Sequence, residues 1–268
     1  MGLALIAGGG DLPKEIMRAC CQQGIPLFVI GFEGQTDLGI DNGATFPLGA
    51  IGKVVEALKN NAIEKIVFAG HFRRPSWSEM QLDWLGAKWL KTLGWRAFKG
   101  DDDLLTGILD LLQKEGFAIV KPSDILQNLM APTGVLTHMS PTESDRLDIQ
   151  RGVDVLAALS PVDVGQAVIV QQGLVLGIEG VEGTAELIKR CGILKRAGGG
   201  GVLVKLAKVQ QNQSIDLPTI GMQTVQSIQA AGLRGIAISA TSTQIIDQGA
   251  VVECANALGV FIVGISEY

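Results

Sequence analysis

Short uninterrupted apolar runs alternate with helix-period patterns through the first half of the chain. The runs are Leu3–Ala7, closed by Gly8-Gly9-Gly10, then Pro26–Ile30, then Ile66–Ala69, closed by Gly70. Between them, Leu12–Gln23 and Lys53–Lys59 carry apolar residues at helical spacing, and Gly24 stops the first. An unbroken apolar run suits a strand buried on both faces. Strands separated by helices make βαβ units and a parallel sheet. Residues 77–99 and 102–115 predict two more helices. From Lys121 to Asp145 the pattern is interrupted by Pro122, Pro132, Gly134 and Pro141, which predicts a domain boundary. The expected division is 1–132, an N-terminal Rossmann-like domain, and 133–268, a C-terminal domain.

The second half predicts a helix over Ser144–Leu159 and a hairpin of Val168–Val170 and Leu174–Ile178 about Gln171-Gln172-Gly173. A helix at Ala185–Arg190, a strand at Val202–Val204, a helix at Met222–Ala231 and a strand at Val260–Gly264 follow. Ala197–Gly201 reads as a mobile glycine loop. The fold class is therefore α/β, a parallel sheet followed by a mixed α/β domain.

Composition narrows the function classes. Of 268 residues, 47% are hydrophobic and 18% charged, enough apolar material for real cores and too much for disorder. The net charge of −5 argues against nucleic acid, whose phosphates need clustered cations. Mean hydropathy is high, +0.32, but no apolar run reaches the ~18 residues of a membrane span. Cys20, Cys21, Cys191 and Cys254 form no C-x-x-C pair, and His71 and His138 are the two histidines. Neither a zinc site nor a disulfide framework is expected. With no basic region before the first apolar run, the N-terminus reads as a strand, and the expected compartment is a reducing cytoplasm.

Candidate chemistry gathers in five places. Gly8-Gly9-Gly10-Asp11-Leu12-Pro13 links a strand to a helix, as a phosphate loop does, but Pro13 stands where a dinucleotide fingerprint needs its third glycine. A tight strand–helix turn explains the same residues. Glu33 lies at the distance of a ribose-binding acid. His71-Phe72-Arg73-Arg74 follows a strand end, where arginines suit phosphate and His71 suits a general base. Asp101-Asp102-Asp103 opens a helix, as caps or as cation ligands. Glu179-Gly180-Val181-Glu182-Gly183-Thr184 combines two carboxylates with a natural helix cap in Thr184. Lys205 and Lys208 precede Asp216-Leu217-Pro218-Thr219-Ile220-Gly221, whose carboxylate needs a lysine, a helix N-terminus or Mg²⁺ as partner.

With Ile6–Pro13, Phe68–Pro75, Lys99–Leu105, Glu179–Thr184, Gly200–Lys208 and Asp216–Gly221 in this order and spacing, the chain closely resembles the LpxI-type UDP-2,3-diacylglucosamine pyrophosphatases. The resemblance implies two domains with the ligand between them, a homodimer, and Mg²⁺-dependent hydrolysis of UDP-2,3-diacylglucosamine to UMP and 2,3-diacylglucosamine 1-phosphate in lipid A biosynthesis, with water attacking the sugar-side phosphorus. It implies Asp216, Lys208 and Thr219 as catalytic residues. Gly9, Gly10, Leu12, Arg74, Asp101, Asp102, Thr184, Lys205 and Gln211 would contact substrate, and Asp216 and Glu182 would hold the metal. Asp216 either binds Mg²⁺ or orients water. Asn212 and Ser214 stand where the family has an acid and an arginine, Val209 where it has proline, and Ala185 where it has aspartate. The alternatives are an NAD(P)-dependent oxidoreductase using the glycine loop and a non-catalytic nucleotide-binding module.

All four tryptophans fall within 77–95. On one helix, Trp77, Trp84 and Trp95 would lie within about 20° of each other, with Lys88 and Lys91 beside them. Leu82, Leu85, Trp89 and Leu93 would share the packed side. Indole with lysine suits peripheral contact with the inner face of the inner membrane, while a core, an acyl groove or a dimer contact explains the tryptophans equally.

Overall fold

The computed structural model describes residues 2–73, 81–94, 101–162, 164–207 and 217–266, with 101–104 described by backbone alone. The chain divides into two compact units, Met1–Gln127 and Asn128–Tyr268.

The first unit runs β1 (Gly2–Ala7), α1 (Leu12–Gln22), β2 (Leu27–Phe32), β3 (Gly43–Phe46), α2 (Ile51–Asn60), β4 (Ile63–Ala69), α3 (Trp84–Leu93), α4 (Asp101–Lys114) and β5 (Ala118–Val120). The strands form one sheet in the order β3-β2-β1-β4-β5, and every pair is parallel. β1 is central, and Leu3 through Ala7 are all buried, which is why its sequence is an apolar run without alternation. The strand order reverses between β1 and β4, the topological switch point.

The helix expected over 77–99 spans Trp84–Leu93 here, and 74–80 and 95–100 lie outside the described residues. Asp83 sets its start by accepting the Gly86 N–H at 2.7 Å, and Gly94, at φ 51°, caps its end. Trp89 is buried, while Trp84 is 78% exposed with the Lys88 Nζ 5.3 Å from its ring centroid. Leu82, expected on the packed side, precedes the helix and is exposed.

The second unit runs β6 (Gly134–Val135), α5 (Glu143–Leu159), β7 (Ala167–Gln171), β8 (Leu174–Ile178), α6 (Gly183–Leu194), β9 (Val202–Lys205), β10 (Thr219–Ile220), α7 (Met222–Ala230), β11 (Gly235–Ser239), β12 (Gln244–Ile245), α8 (Gln248–Leu258) and β13 (Phe261–Ile265). Six strands form a mixed sheet, β6-β13-β11-β9-β7-β8. β9, β11 and β13 are parallel, and β6, β7 and β8 join antiparallel. β10 and β12 make a separate parallel pair, Thr219 opposite Gln244.

Strand period sorts the side chains between two cores. Val168, Val170, Val202 and Val204 pack with Ile149, Val153 and Leu156 of α5. Ile169, Leu203, Ile236 and Ile238 pack with Leu187, Ile188, Val225, Ile228 and Val251 of α6, α7 and α8. The architecture is α/β in both units, parallel in the first sheet and mixed in the second. Cys20 and Cys191 are buried free thiols, Cys21 and Cys254 are also free, and burial pushes the Cys20 and Cys191 thiols up.

Candidate functional site

The carboxyl ends of parallel strands collect the polar residues in both units, as open α/β sheets do. In the first unit the loops after β1 and β4 are laced together. The N–H groups of Gly8 and Gly9 donate to the carbonyls of Ala69 and His71 at 2.8 and 2.9 Å, and the His71 N–H returns to the Gly9 carbonyl at 3.0 Å. A Cβ on Gly8 would stand 2.5 Å from the His71 carbonyl oxygen, and one on Gly9 would stand 2.9 Å from the His71 imidazole. Two of the three glycines thus serve the approach of one loop to the other, and their amides are engaged by the neighbouring loop. Gly10 takes φ 96° and leads into α1, whose first residues are Leu12 and Pro13, both buried. Asp11, at the N-cap, turns its carboxylate to Lys14 at 3.1 Å, and the Lys14 ammonium is held above its ordinary range by that bond and charge. Gln35 closes the same end, accepting from the Arg73 N–H at 2.8 Å and donating to the Arg73 carbonyl at 3.0 Å.

In the second unit Lys205 ends β9. Counting by two from Leu203 turns it toward the α6–α7 side, where it is only 7% exposed. Its ammonium donates to the Thr184 Oγ1 at 3.0 Å and to the Thr219 carbonyl at 3.0 Å. Thr184 lies in the first turn of α6 and donates its hydroxyl proton to the Glu179 Oε1. The other Glu179 oxygen accepts the Gln166 N–H at 3.0 Å. The Thr219 hydroxyl lies 3.2 Å from the Gln244 Oε1 and 3.1 Å from the Leu217 carbonyl. Glu179, Thr184, Lys205, Thr219 and Gln244 therefore form one connected polar chain. A buried cation is tolerable there because hydrogen-bond acceptors and a carboxylate surround it.

The structure therefore brings together Thr184, Lys205 and Thr219, three of the expected site residues. It gives Thr184 a different local job, because α6 begins two residues earlier than expected and Glu182 holds the N-cap position. Glu182 itself stands apart from this chain. One of its oxygens takes the Arg190 guanidinium at 2.8 Å, and the other takes the Gly180 N–H at 3.0 Å. Its own backbone N–H and then Arg190 hold its carboxyl below the ordinary range. Gly9, Gly10 and Leu12 belong to the first unit. Asp101 and Asp102 open α4 and are described by backbone alone, whereas Arg74, Lys208, Gln211 and Asp216 lie outside the described residues.

Among the described residues no three His, Cys, Asp or Glu side chains converge on a point that would hold a metal ion. Glu182, expected to hold the metal, and its neighbour Glu179 already have each oxygen occupied, and Asp216 lies outside the described residues. The described residues alone therefore do not make a Mg²⁺ site.

Gln244 escaped sequence reasoning. It lies 2% exposed in a hydroxyl-rich stretch, Ser239 to Gln244, after β11. The only signal was that stretch of short polar residues following an apolar run.

Comparison with known proteins places the chain. The LpxI N-terminal domain matches residues 2–129 and the LpxI C-terminal domain residues 132–263. The UDP-2,3-diacylglucosamine pyrophosphatase LpxI of Caulobacter vibrioides is 36% identical over 98% of this chain and 97% of its own. Among solved structures, CobK precorrin-6A reductase is similar at a TM-score of 0.36 and 10% identity, over 100% of this chain and 89% of its own, a likeness too slight to carry an argument.

Proposed function

The chain belongs to the LpxI family, and from that premise we propose that it is a pyrophosphatase of lipid A biosynthesis. In this reading it hydrolyses UDP-2,3-diacylglucosamine to UMP and 2,3-diacylglucosamine 1-phosphate. The observation that carries the reading is the 36% identity to a UDP-2,3-diacylglucosamine pyrophosphatase over almost the whole of both chains. The chemistry at the end of β9 agrees with it. Pyrophosphate hydrolysis asks for charge neutralisation and an oriented water rather than a covalent intermediate. Lys205 supplies a buried, oriented cation at the carboxyl end of a parallel strand. In this reading its ammonium meets the diphosphate, and Asp216, with Lys208 and Thr219, completes the centre. Arg74, Asp101, Asp102 and Gln211, with the glycine loop at Gly9, Gly10 and Leu12, are assigned to substrate binding.

Mg²⁺ is part of the proposal and rests on the family resemblance. Asp216 would be its ligand, and Glu182 joins only by giving up Arg190. When bound, the ion would neutralise phosphate charge. Asp216→Asn is expected to lower kcat by at least about a hundredfold with the melting temperature unchanged, as loss of a ligand or water-orienting group does. EDTA is expected to abolish wild-type turnover. A mutant with wild-type kcat contradicts the assignment.

A homodimer working at the cytoplasmic face of the inner membrane completes the reading, with light scattering as the check on the dimer. The exposed Trp84 with Lys88 above its ring is the described part of a lipid-facing stripe, and Trp77 and Trp95 lie outside the described residues. Wild type is expected to sediment with anionic vesicles, and Trp84→Ala/Lys88→Glu to remain in the supernatant. Equal sedimentation removes this face from the account.

A further inference from the structure

We propose that Glu179 is the positioning residue of Lys205, acting through the hydroxyl of Thr184. The proposal rests on the reading that Lys205 meets the substrate's diphosphate, and deepens it by saying what aims the ammonium.

Glu179 follows β8 and is 7% exposed. Its backbone is pinned by its N–H to the Ala167 carbonyl at 2.8 Å. Gly165, at φ 57°, brings the preceding turn so close that a Cβ would overlap the Glu179 carbonyl oxygen. The Gln166 N–H then fixes one carboxylate oxygen. The second oxygen therefore points in one direction, at Thr184.

Proton bookkeeping gives that contact a polarity. A carboxylate only accepts, an ammonium only donates, and a threonine hydroxyl has a single proton. Standing between the two, Thr184 must give its proton to Glu179 and accept from Lys205. The hydroxyl is thereby committed as an acceptor and has no proton left for a phosphate oxygen. With the Thr219 carbonyl as a further acceptor, the ammonium is oriented before any ligand arrives. A preset donor needs no reorganisation when charge develops on a phosphate. A glutamine at 179 can present its NH₂ to Thr184, which takes away the acceptor for the hydroxyl proton and with it the fixed orientation of the lone pair that Lys205 uses.

The test is a mutant cycle read by UMP release, with circular dichroism confirming folding. Glu179→Gln and Thr184→Val are each expected to lower kcat/KM by about 10- to 100-fold, below the range for loss of a whole oriented donor. Thr184→Ser, which restores the hydroxyl, is expected within about threefold of wild type. In a Lys205→Met background, Glu179→Gln is expected to cost less than about twofold more, because residues acting as a unit are non-additive. Full additivity in that background, or wild-type kinetics in Glu179→Gln, overturns the proposal.

A second readout does not depend on turnover. The Lys205 ¹⁵Nζ–¹H resonance is expected to be protected from exchange in wild type and Thr184→Ser, and lost in Glu179→Gln and Thr184→Val. Protection unchanged in both of the latter also overturns it. Absence of UMP release from wild type would overturn the functional reading instead, and the resonance still decides the role of Glu179.

Discussion

Single residues in this protein are often explained by one neighbour. Gly8 is glycine because the His71 carbonyl oxygen stands 2.5 Å from where a Cβ would be, while a Cβ on Gly9 would push the His71 imidazole aside. The sequence left two readings of this loop, a phosphate cradle and a tight turn. It could not show that the loop after β4, some sixty residues on, closes against it. Glu182 is a similar case. As a bare sequence it is one of two acids before a helix, and only the folded chain shows Arg190 facing it at 2.8 Å. Its depressed titration fixes the sign of a pH effect. The stabilisation is complete above the ordinary carboxyl range and is lost as pH falls through the lower, folded value. Arg190→Gln should move the Glu182 carboxyl titration part of the way back up, since the hydrogen bond from its own backbone N–H remains. Carboxyl ¹³C NMR reads this directly, and an unmoved titration contradicts the pairing.

At the scale of elements, the apolar runs at β1, β4, β9 and β13 were legible because each is buried on both faces. α5 was legible over Ser144–Leu159, and the structure starts it one residue earlier, where Thr142 and Asp145 exchange capping bonds. β11 and α8 were not. Gly235–Ser239 is an apolar run of five residues between Arg234 and the polar Thr241–Gln244, with no period to separate strand from helix, and Gln248–Leu258 has apolar residues nearly all round. β10 and β12 are two residues each and are defined by pairings distant in sequence, with each other and, for β12, with Met130. The glycine loop at 197–201, expected as mobile, is tied to the sheet by the buried Gln171 side chain, which bonds Arg196 and Gly199.

Helix starts are shared as well. α2 has no cap of its own, and the Asp83 Oδ2 accepts its Lys53 N–H at 3.2 Å while Oδ1 caps α3. Gly52 makes room, since a Cβ there would stand 2.8 Å from that oxygen. Asp83→Ala removes both bonds and should cost about 1–2 kcal/mol, at the upper end for one cap. Chemical denaturation measures it, and a loss under about 0.5 kcal/mol would show that the shared cap contributes little.

For the whole molecule, the order of strands and helices was largely readable, and so was the family to which the segments belong. The chain Glu179–Thr184–Lys205–Thr219–Gln244 was not, because it joins the ends of β8, β9, β10 and β12 with the start of α6, and no local pattern records that meeting. Lys205 read in sequence as one of two lysines framing a strand end, yet its depth comes from the period-two alternation with Leu203 and the helices laid over that face. Cleavage of a diphosphate between uridine and a diacylated sugar is the reaction proposed for this centre with Asp216. Its most direct test is incubation of the purified protein with UDP-2,3-diacylglucosamine and Mg²⁺ in ¹⁸O-labelled water, followed by mass spectrometry of both products. UMP and 2,3-diacylglucosamine 1-phosphate are expected in equal amounts, with the label in the lipid phosphate. Intact substrate after incubation with folded protein, or label in UMP, would contradict the proposal.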